Sequence, residues 1–319
     1  SYVESTTGEF VPRNADWIEE AVAEFDPDAN AVVTASGRRV EYDFLVLGTG
    51  LVLDYEGIEG MSADLIGRDG IGSVYAGPQA AAATYAEMSR FADTGGVAVF
   101  GRPQTEMKCA GAPLKYTFIT EDTLTRRGNR SKAELIYAAP GAALFGVPIV
   151  SEKVRMLYAE RGINTVYRHV MTAIDPARKI ATYETPDGRK DLGYDFIHVI
   201  PPMRAPEAVR NSPLPWQEGP LAPDGWVETD RHTMRHPRYD NVFVVGDIAG
   251  VPKGKTAASV KWQVPVAADH LVGTDRRGNH GAGGVDVAMN DAARHGVEGI
   301  LRDVAFQQLV AQDDRAIGR

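Results

Sequence analysis

The stretch VYRHVMTAIDPARKIATYETPDGRKDLGYDFIHVIPP, Val166 to Pro202, decides the fold because an earlier part of the chain repeats its pattern. The earlier copy, WIEEAVAEFDPDANAVVTASGRRVEYDFLVLGTG, runs from Trp17 to Gly50. In each copy a strand ends in Asp-Pro, a second strand leads to a Gly-Arg turn, and a third precedes Tyr-Asp-Phe. Apolar alternation bounded by Gly, Pro and Asp predicts a three-stranded antiparallel meander. The alternative is a chance likeness of two meanders, and the shared order of the three markers favours a repeat.

Strands and helices alternate between the two copies. We predict strands over Val97–Gly101, Ala133–Pro140 and Ile163–Tyr167, and helices over Pro113–Arg127 and Ser151–Arg161. Such alternation predicts a parallel sheet with a crevice at its carboxyl edge. The predicted fold class is therefore α/β, with two Rossmann-like domains that each carry an antiparallel three-stranded meander. The first meander has no βαβ unit before it in this sequence, so the first domain is expected to lack that unit.

Composition excludes several classes of protein. The net charge of −9 argues against nucleic-acid binding, which needs a basic surface. A single cysteine allows no internal disulfide, which fits a reducing compartment such as the cytoplasm. No apolar run reaches the roughly 18–20 residues that span a bilayer, and the N-terminus has no signal-peptide pattern. We predict no metal site.

The stretch GRPQTEMKCAGAPLKY follows the first predicted parallel strand and contains Cys109, the only cysteine. It lacks the G-x-G-x-x-G glycines that let a backbone approach a pyrophosphate, and Arg102-Pro103 stands in their place. We therefore expect no useful NADH oxidation. Neighbouring Lys108 and a helix start near Pro113 favour the thiolate, so we expect a reactive Cys109. The alternative is a buried, inert cysteine.

Two further strand ends are candidates for ligand binding. The segment NVFVVGD ends in Asp247 and leads to a helix that is predicted to start near Thr256. A carboxylate there could bond a sugar-like hydroxyl, and the helix start could hold an anion. The segment FLVLGTG ends at Gly50 and would bring backbone close to a ligand. The alternatives are ordinary turns and a capped helix.

Four segments of the chain resemble the sulfide:quinone oxidoreductases, in particular the branch with the mitochondrial enzymes. They are MKCAGAPLKY, RSKAELIYAAPGAALFGV, HVIPPM and GDIAGVPKGKTAA. The resemblance implies a flavoprotein of the flavin disulfide reductase superfamily, with FAD in the first Rossmann-like domain. The implied reaction oxidises sulfide to cysteine-bound sulfane sulfur and passes two electrons through FAD to a quinone. It also implies peripheral contact with a membrane, such as the inner membrane.

The resemblance assigns roles to individual residues. Cys109 would hold the sulfane sulfur, and His198 is a second catalytic candidate whose alternative is a structural role. The implied FAD-binding residues are Val22 through its backbone, Thr49 and Gly50 at the pyrophosphate, Glu207, Asp247 at the sugar-like chain, and Lys255 and Thr256 at the pyrimidine end.

The resemblance also implies that the chain is divided into four segments. These are an FAD-domain remnant (1–94), a second Rossmann-like domain (95–204), a return to the FAD domain (205–272), and a linker with a divergent helix (273–319). The family's second cysteine would follow Gly-Asp, where this chain has Ile248. Two alternatives stay open: a non-catalytic protein that binds sulfane sulfur, and another FAD-dependent NAD(P)H reductase. Without the glycine loop of a first βαβ unit, the 319-residue chain is expected to hold FAD weakly or not at all.

Overall fold

A computed structural model describes residues 6–252 and 254–278. The chain divides into two compact units. Unit 1 takes the described residues up to Val52 and those from Ala205 onwards, and unit 2 is Leu53–Arg204.

The helices and strands are numbered in chain order. The strands are β1 Val22–Asp26, β2 Ala31–Thr34, β3 Arg39–Glu41, β4 Leu45–Leu47, β5 Val52–Leu53, β6 Ile71–Gly72, β7 Gly96–Gly101, β8 Ala133–Ala139, β9 Ile163–Tyr167, β10 Val170–Asp175, β11 Ile180–Thr185, β12 Gly188–Gly193, β13 Phe196–His198, β14 Met203–Arg204, β15 Val227–Glu228, β16 Val242–Val244 and β17 Ala249–Gly250. The α-helices are α1 Pro78–Thr94, α2 Ala112–Arg126, α3 Pro148–Glu160, α4 Glu207–Arg210 and α5 Ala257–Gly278. Short 3-10 helices span Thr7–Phe10, Tyr55–Gly57, Ala63–Leu65, Val74–Ala76, Arg130–Lys132 and Gly246–Ile248.

Unit 2 is built on a five-stranded parallel sheet of order β6-β13-β7-β8-β9. Both faces of β7 are covered, as parallel strands require. Phe100 packs in a cluster with residues of α1, α2 and α3, whereas Val99 packs in a cluster with the β10-β11-β12 meander. The carboxyl ends of these strands meet at one edge, and the Cys109 loop leaves from that edge.

The two meanders share their turn geometry as well as their sequence markers. In the first, the Asp26 carboxylate accepts the backbone N–H of Ala29 at 3.1 Å, and Asn30 follows with a φ of 50°. In the second, Asp175 accepts from Arg178 at 3.1 Å, and Lys179 has a φ of 54°. The first strand of each meander also carries a register shift. The meanders predicted from the sequence are therefore confirmed.

Unit 1 contains the first meander and a parallel pair, β4 and β16. Val242 pairs with Leu45, and Val244 pairs with Leu47. Around this pair lies an apolar cluster with Trp226, Phe243 and one face of α5. The pair brings the carboxyl ends of two parallel strands to one edge of unit 1.

The fold class predicted from the sequence is confirmed. The observed segments differ from the predicted ones in two places. Residues 53–94 fall in unit 2, because β6 pairs with β13 and α1 packs against them. Helix α5 continues to Gly278, past the predicted start of a linker at Gly273. The rest of the predicted C-terminal segment, 279–319, lies outside the described residues. No helix within the described ranges is long and apolar enough to cross a membrane.

We expect Gly70→Ala to destabilise unit 2 far more than the matched change Gly188→Ala. Both glycines have positive φ, 79° and 97°, so both variants carry the left-handed cost of about 1–2 kcal/mol. A Cβ at Gly70 would clash with the carbonyl oxygen of Asp195, whereas one at Gly188 meets nothing within 4 Å. Overpacking adds about 1–3 kcal/mol. Urea denaturation measures both variants, and equal losses of stability would contradict the close contact.

Candidate functional site

Cys109 lies in the loop between β7 and α2, in the left-handed backbone region with a φ of 51°. This conformation is unfavourable for a residue with a Cβ and has to be held by the surroundings. The carbonyl oxygen of Cys109 accepts two hydrogen bonds, from the backbone N–H of Ala112 at 2.8 Å and from the Tyr75 hydroxyl at 3.1 Å. The residue is half-buried. Its backbone is therefore fixed by one local and one distant donor.

The helix that was predicted to begin near Pro113 begins at Ala112. The Lys108 ammonium lies 5.9 Å from the centre of the Tyr75 ring. That Lys108 and the start of α2 activate the thiol stays a prediction.

His198 is 2% exposed and ends β13. Its ring stacks on Tyr116 of α2, with centroids 4.4 Å apart, and its Nε2 accepts the backbone N–H of Val74 at 3.3 Å. Burial lowers the pKa of His198 to about 3. The imidazole is thus neutral at physiological pH, and its visible contacts hold α2 and the Val74 segment against the sheet. The catalytic role suggested by the sequence stays a prediction.

The loop after β7 also carries Arg102 and Pro103, which replace the expected phosphate-loop glycines. Both line a cavity of about 230 Å³ at the carboxyl edge of the sheet, together with Met171 and Tyr183 of the meander. Gly101 has a packing role, since a Cβ there would lie 2.6 Å from the carbonyl oxygen of Ala138.

In unit 1 the parallel pair β4–β16 places Thr49, Gly50 and Asp247 at one edge. The Val245 N–H donates to the Leu47 carbonyl at 2.8 Å, so the segments that follow β4 and β16 run side by side as they leave the sheet. Gly50 has a φ of 67°, and a Cβ there would meet nothing within 4 Å. The backbone at this edge is therefore open to a close ligand approach.

Lys255 and Thr256 lie between Asp247 and α5. The buried Lys255 ammonium donates to the carbonyls of Asp247 at 2.6 Å and Ala249 at 3.2 Å, and it lies 3.8 Å from the Trp226 ring centre. Together the two carbonyls and the cation–π contact offset its desolvation. Thr256 caps α5 by accepting the Ser259 N–H at 3.2 Å. Both residues thus have partners inside the chain.

The two remaining candidates, Val22 and Glu207, lie on elements that pack together. Val22 begins β1 and is half-buried, and Glu207 is exposed at the start of α4, which contacts β1. No group of three or more metal-ligating side chains occurs in the part of the chain that the structure describes.

Comparison with known proteins gives clear relatives. The sequence is 37% identical to the mitochondrial sulfide:quinone oxidoreductase of Dictyostelium discoideum over 264 residues, which cover 83% of this chain and 57% of the relative. It is 33% identical to the mouse mitochondrial enzyme over 256 residues, which cover 79% of this chain and 55% of the relative. The chain fits the sulfide:quinone oxidoreductase family. It spans a little more than half the length of these curated relatives.

A solved structure shares the fold. The sulfide:quinone oxidoreductase of Aquifex aeolicus superposes with a TM-score of 0.66 at 24% identity, covering 82% of this chain and 61% of that chain. No protein-family model matches the sequence.

Sequence reasoning missed several residues around the sulfide:quinone oxidoreductase motifs. Tyr75, Tyr116, Trp226 and Gln263, which accepts the Gly246 N–H at 2.8 Å, were not predicted. Each acts across elements that are distant in sequence; Tyr116 is the last residue of the MKCAGAPLKY segment, and the other three lie outside the four family segments. At the position of the family's second cysteine, Ile248 is fully buried in the apolar cluster of unit 1.

We expect Lys255→Met to destabilise the protein by about 2–4 kcal/mol. A buried methionine can neither donate hydrogen bonds to the two carbonyls nor form the cation–π contact with Trp226. Lys261→Met on the exposed side of α5 is the matched control and should change little. Chemical denaturation measures both. A Lys255→Met protein as stable as the control would mean that the ammonium contributes nothing.

The pH dependence of stability should report His198. The unfolded histidine binds a proton near its ordinary pKa of 6.5, whereas the folded one does so only near 3. Stability is therefore complete above about pH 6.5 and falls towards pH 3, by about 1.4 kcal/mol per pH unit. His198→Phe keeps a ring on Tyr116 and should remove this slope. Denaturation of both proteins between about pH 6 and about pH 4 decides it, and parallel curves would contradict a buried neutral histidine.

Proposed function

We propose that this chain carries the sulfur-binding part of a sulfide:quinone oxidoreductase, with Cys109 as the residue that takes up sulfane sulfur. The observation that carries the proposal is Cys109 in the MKCAGAPLKY segment, at the carboxyl edge of a parallel sheet, in a chain 37% identical to such an enzyme. Crevices at this edge are where α/β proteins bind their ligands.

In the reaction proposed for the whole protein, a quinone accepts the electrons that sulfide oxidation releases. Hydrogen sulfide and the Cys109 thiol form one S–S bond and release two electrons and two protons, and the quinone takes these up to become a quinol. Cys109 is left as a persulfide. Only the thiolate form of the cysteine or of sulfide is nucleophilic enough for such sulfur chemistry.

FAD is the cofactor in this proposal, and residues of unit 1 fit it. Open backbone at Gly50 and the neighbouring Thr49 suit a pyrophosphate, and the Asp247 carboxylate suits a hydroxyl of the flavin's sugar-like chain. Lys255 and Thr256 would lie towards the pyrimidine, with Val22 and Glu207 as further contacts. When bound, FAD supplies a two-electron acceptor. A ligand at Lys255 would compete with its two carbonyl partners.

A single cysteine changes how the sulfur leaves. A persulfide can be resolved by attack of a second thiol within the protein, but this chain has Ile248 at the family's second position. The persulfide on Cys109 would pass its outer sulfur to an external thiolate, which regenerates the Cys109 thiolate and forms the acceptor's persulfide. Partners are thus sulfide or polysulfide, a quinone and an external thiol. We place the protein with its relatives at a quinone-containing membrane, such as the inner mitochondrial membrane, as a peripheral component.

We expect one added sulfur per chain after polysulfide treatment and none in Cys109→Ser. Intact-mass measurement reads the addition directly, and pre-alkylation of the wild-type thiol is the control for adventitious uptake. No added sulfur in the wild type, or equal addition in Cys109→Ser, would contradict the proposal.

Quinone reduction separates an enzyme from a protein that only stores sulfur. With FAD and a soluble quinone supplied, sulfide-dependent quinol formation that is lost in Cys109→Ser supports the enzyme. Sulfur uptake without quinol formation would support a non-catalytic sulfane-sulfur carrier.

A further inference from the structure

The hydroxyl of Tyr75 reaches the backbone of Cys109 from a part of unit 2 that is 34 residues away in sequence. Tyr75 lies in the 3-10 helix Val74–Ala76, ahead of α1. The Tyr75 hydroxyl donates to the Cys109 carbonyl. The same carbonyl also accepts the N–H of Ala112, the first residue of α2. Two donors on one carbonyl restrict rotation about the Cys109 Cα–C bond.

This restriction acts where the backbone needs support. A left-handed cysteine is less stable than one in an ordinary backbone conformation, so without external contacts the loop would populate other states. The direction of the Cα–Cβ bond follows from the backbone conformation, which limits the sulfur to the few staggered positions about that bond. The Ala112 bond arises from the helix start in any case, whereas the Tyr75 bond depends on the tertiary fold.

The segment that carries Tyr75 is itself anchored at two successive residues. Ser73 donates its N–H to the Thr84 hydroxyl at 2.8 Å, and its own hydroxyl lies 2.6 Å from that of Tyr55. Val74 donates its N–H to Nε2 of the buried His198 at 3.3 Å. The Tyr75 ring is therefore presented from a fixed backbone. Burial holds the pKa of Tyr75 far above its usual value of 10, so its hydroxyl stays a proton donor across the physiological range.

Other anchors on the loop stop short of Cys109. The Thr105 hydroxyl accepts the Met203 N–H at 3.0 Å, and the Lys108 N–H lies 3.4 Å from the Met203 sulfur. These contacts hold the loop up to Lys108. In the part of the chain that the structure describes, the Tyr75 hydroxyl is the side-chain group that holds the Cys109 backbone itself.

We propose that Tyr75 is a positioning residue for Cys109: its hydroxyl fixes the left-handed backbone that directs the sulfur for reaction with sulfane sulfur. The proposal deepens the function proposed above and rests on it for the reaction, but not for the positioning. His198 supports Tyr75 through Val74, which gives that buried histidine a part in the site without proton transfer.

The test is Tyr75→Phe, which removes one oxygen and keeps the ring, with Tyr85→Phe at an exposed position of α1 as the matched control. The first readout is the Raman S–H stretching band, recorded at a pH low enough to protonate the thiol; it reports one thiol because the chain has a single cysteine. We expect one narrow band in the wild type and Tyr85→Phe, and a broadened or split band in Tyr75→Phe. His198→Phe removes the acceptor of Val74 and should broaden the same band. An unchanged band in Tyr75→Phe would overturn the proposal.

The second readout is the rate of persulfide formation with polysulfide. Loss of one hydroxyl–carbonyl bond predicts a rate about fivefold lower in Tyr75→Phe. The factor should be the same at every pH, since the hydroxyl acts by position and not by charge. A wild-type rate in Tyr75→Phe, or a factor that changes with pH, would overturn the positioning role. If the wild type forms no persulfide, the proposed function fails, and the Raman band still decides what Tyr75 does.

Discussion

Parallel hydrogen bonding of β7, with β13 on one side and β8 on the other, is the constraint on which the rest of unit 2 depends. It brings the strand ends to one edge and buries the sheet on both faces. At that edge β7 and β8 lie so close together that Gly101 has no room for a Cβ beside Ala138. The loop that carries Cys109 thus leaves from a rigid point, and its contacts to Tyr75 and Ala112 complete its conformation.

Buried polar groups in both units follow one physical rule, which is that a charge or donor removed from water needs a fixed partner or must be neutral. His198 meets it by losing its charge while it accepts the Val74 N–H. Lys255 meets it with two carbonyls and the face of Trp226. These internal partners make both residues parts of the scaffold.

Much of the fold could be predicted because its signals are local. Alternation and the Asp-Pro, Gly-Arg and Tyr-Asp-Phe markers predicted both meanders, and apolar runs with a proline at the helix start predicted α2 to within one residue. The grouping of residues 53–94 could not be predicted in this way. It depends on β6, a two-residue strand without a periodic pattern, and on its pairing with β13.

The sequence by itself determined the α/β class, the internal repeat, the place of the lone cysteine at a strand end, and the motifs of the family. These features depend on residue order over short windows, where backbone preference and side-chain period are expressed directly. Only the tertiary structure decided that Cys109 is left-handed and bonded by Tyr75, that His198 is neutral, and that Lys255 is buried on Trp226. Each of these arises where separate elements meet, and there burial and hydrogen-bond partners are set by packing, which no local pattern encodes.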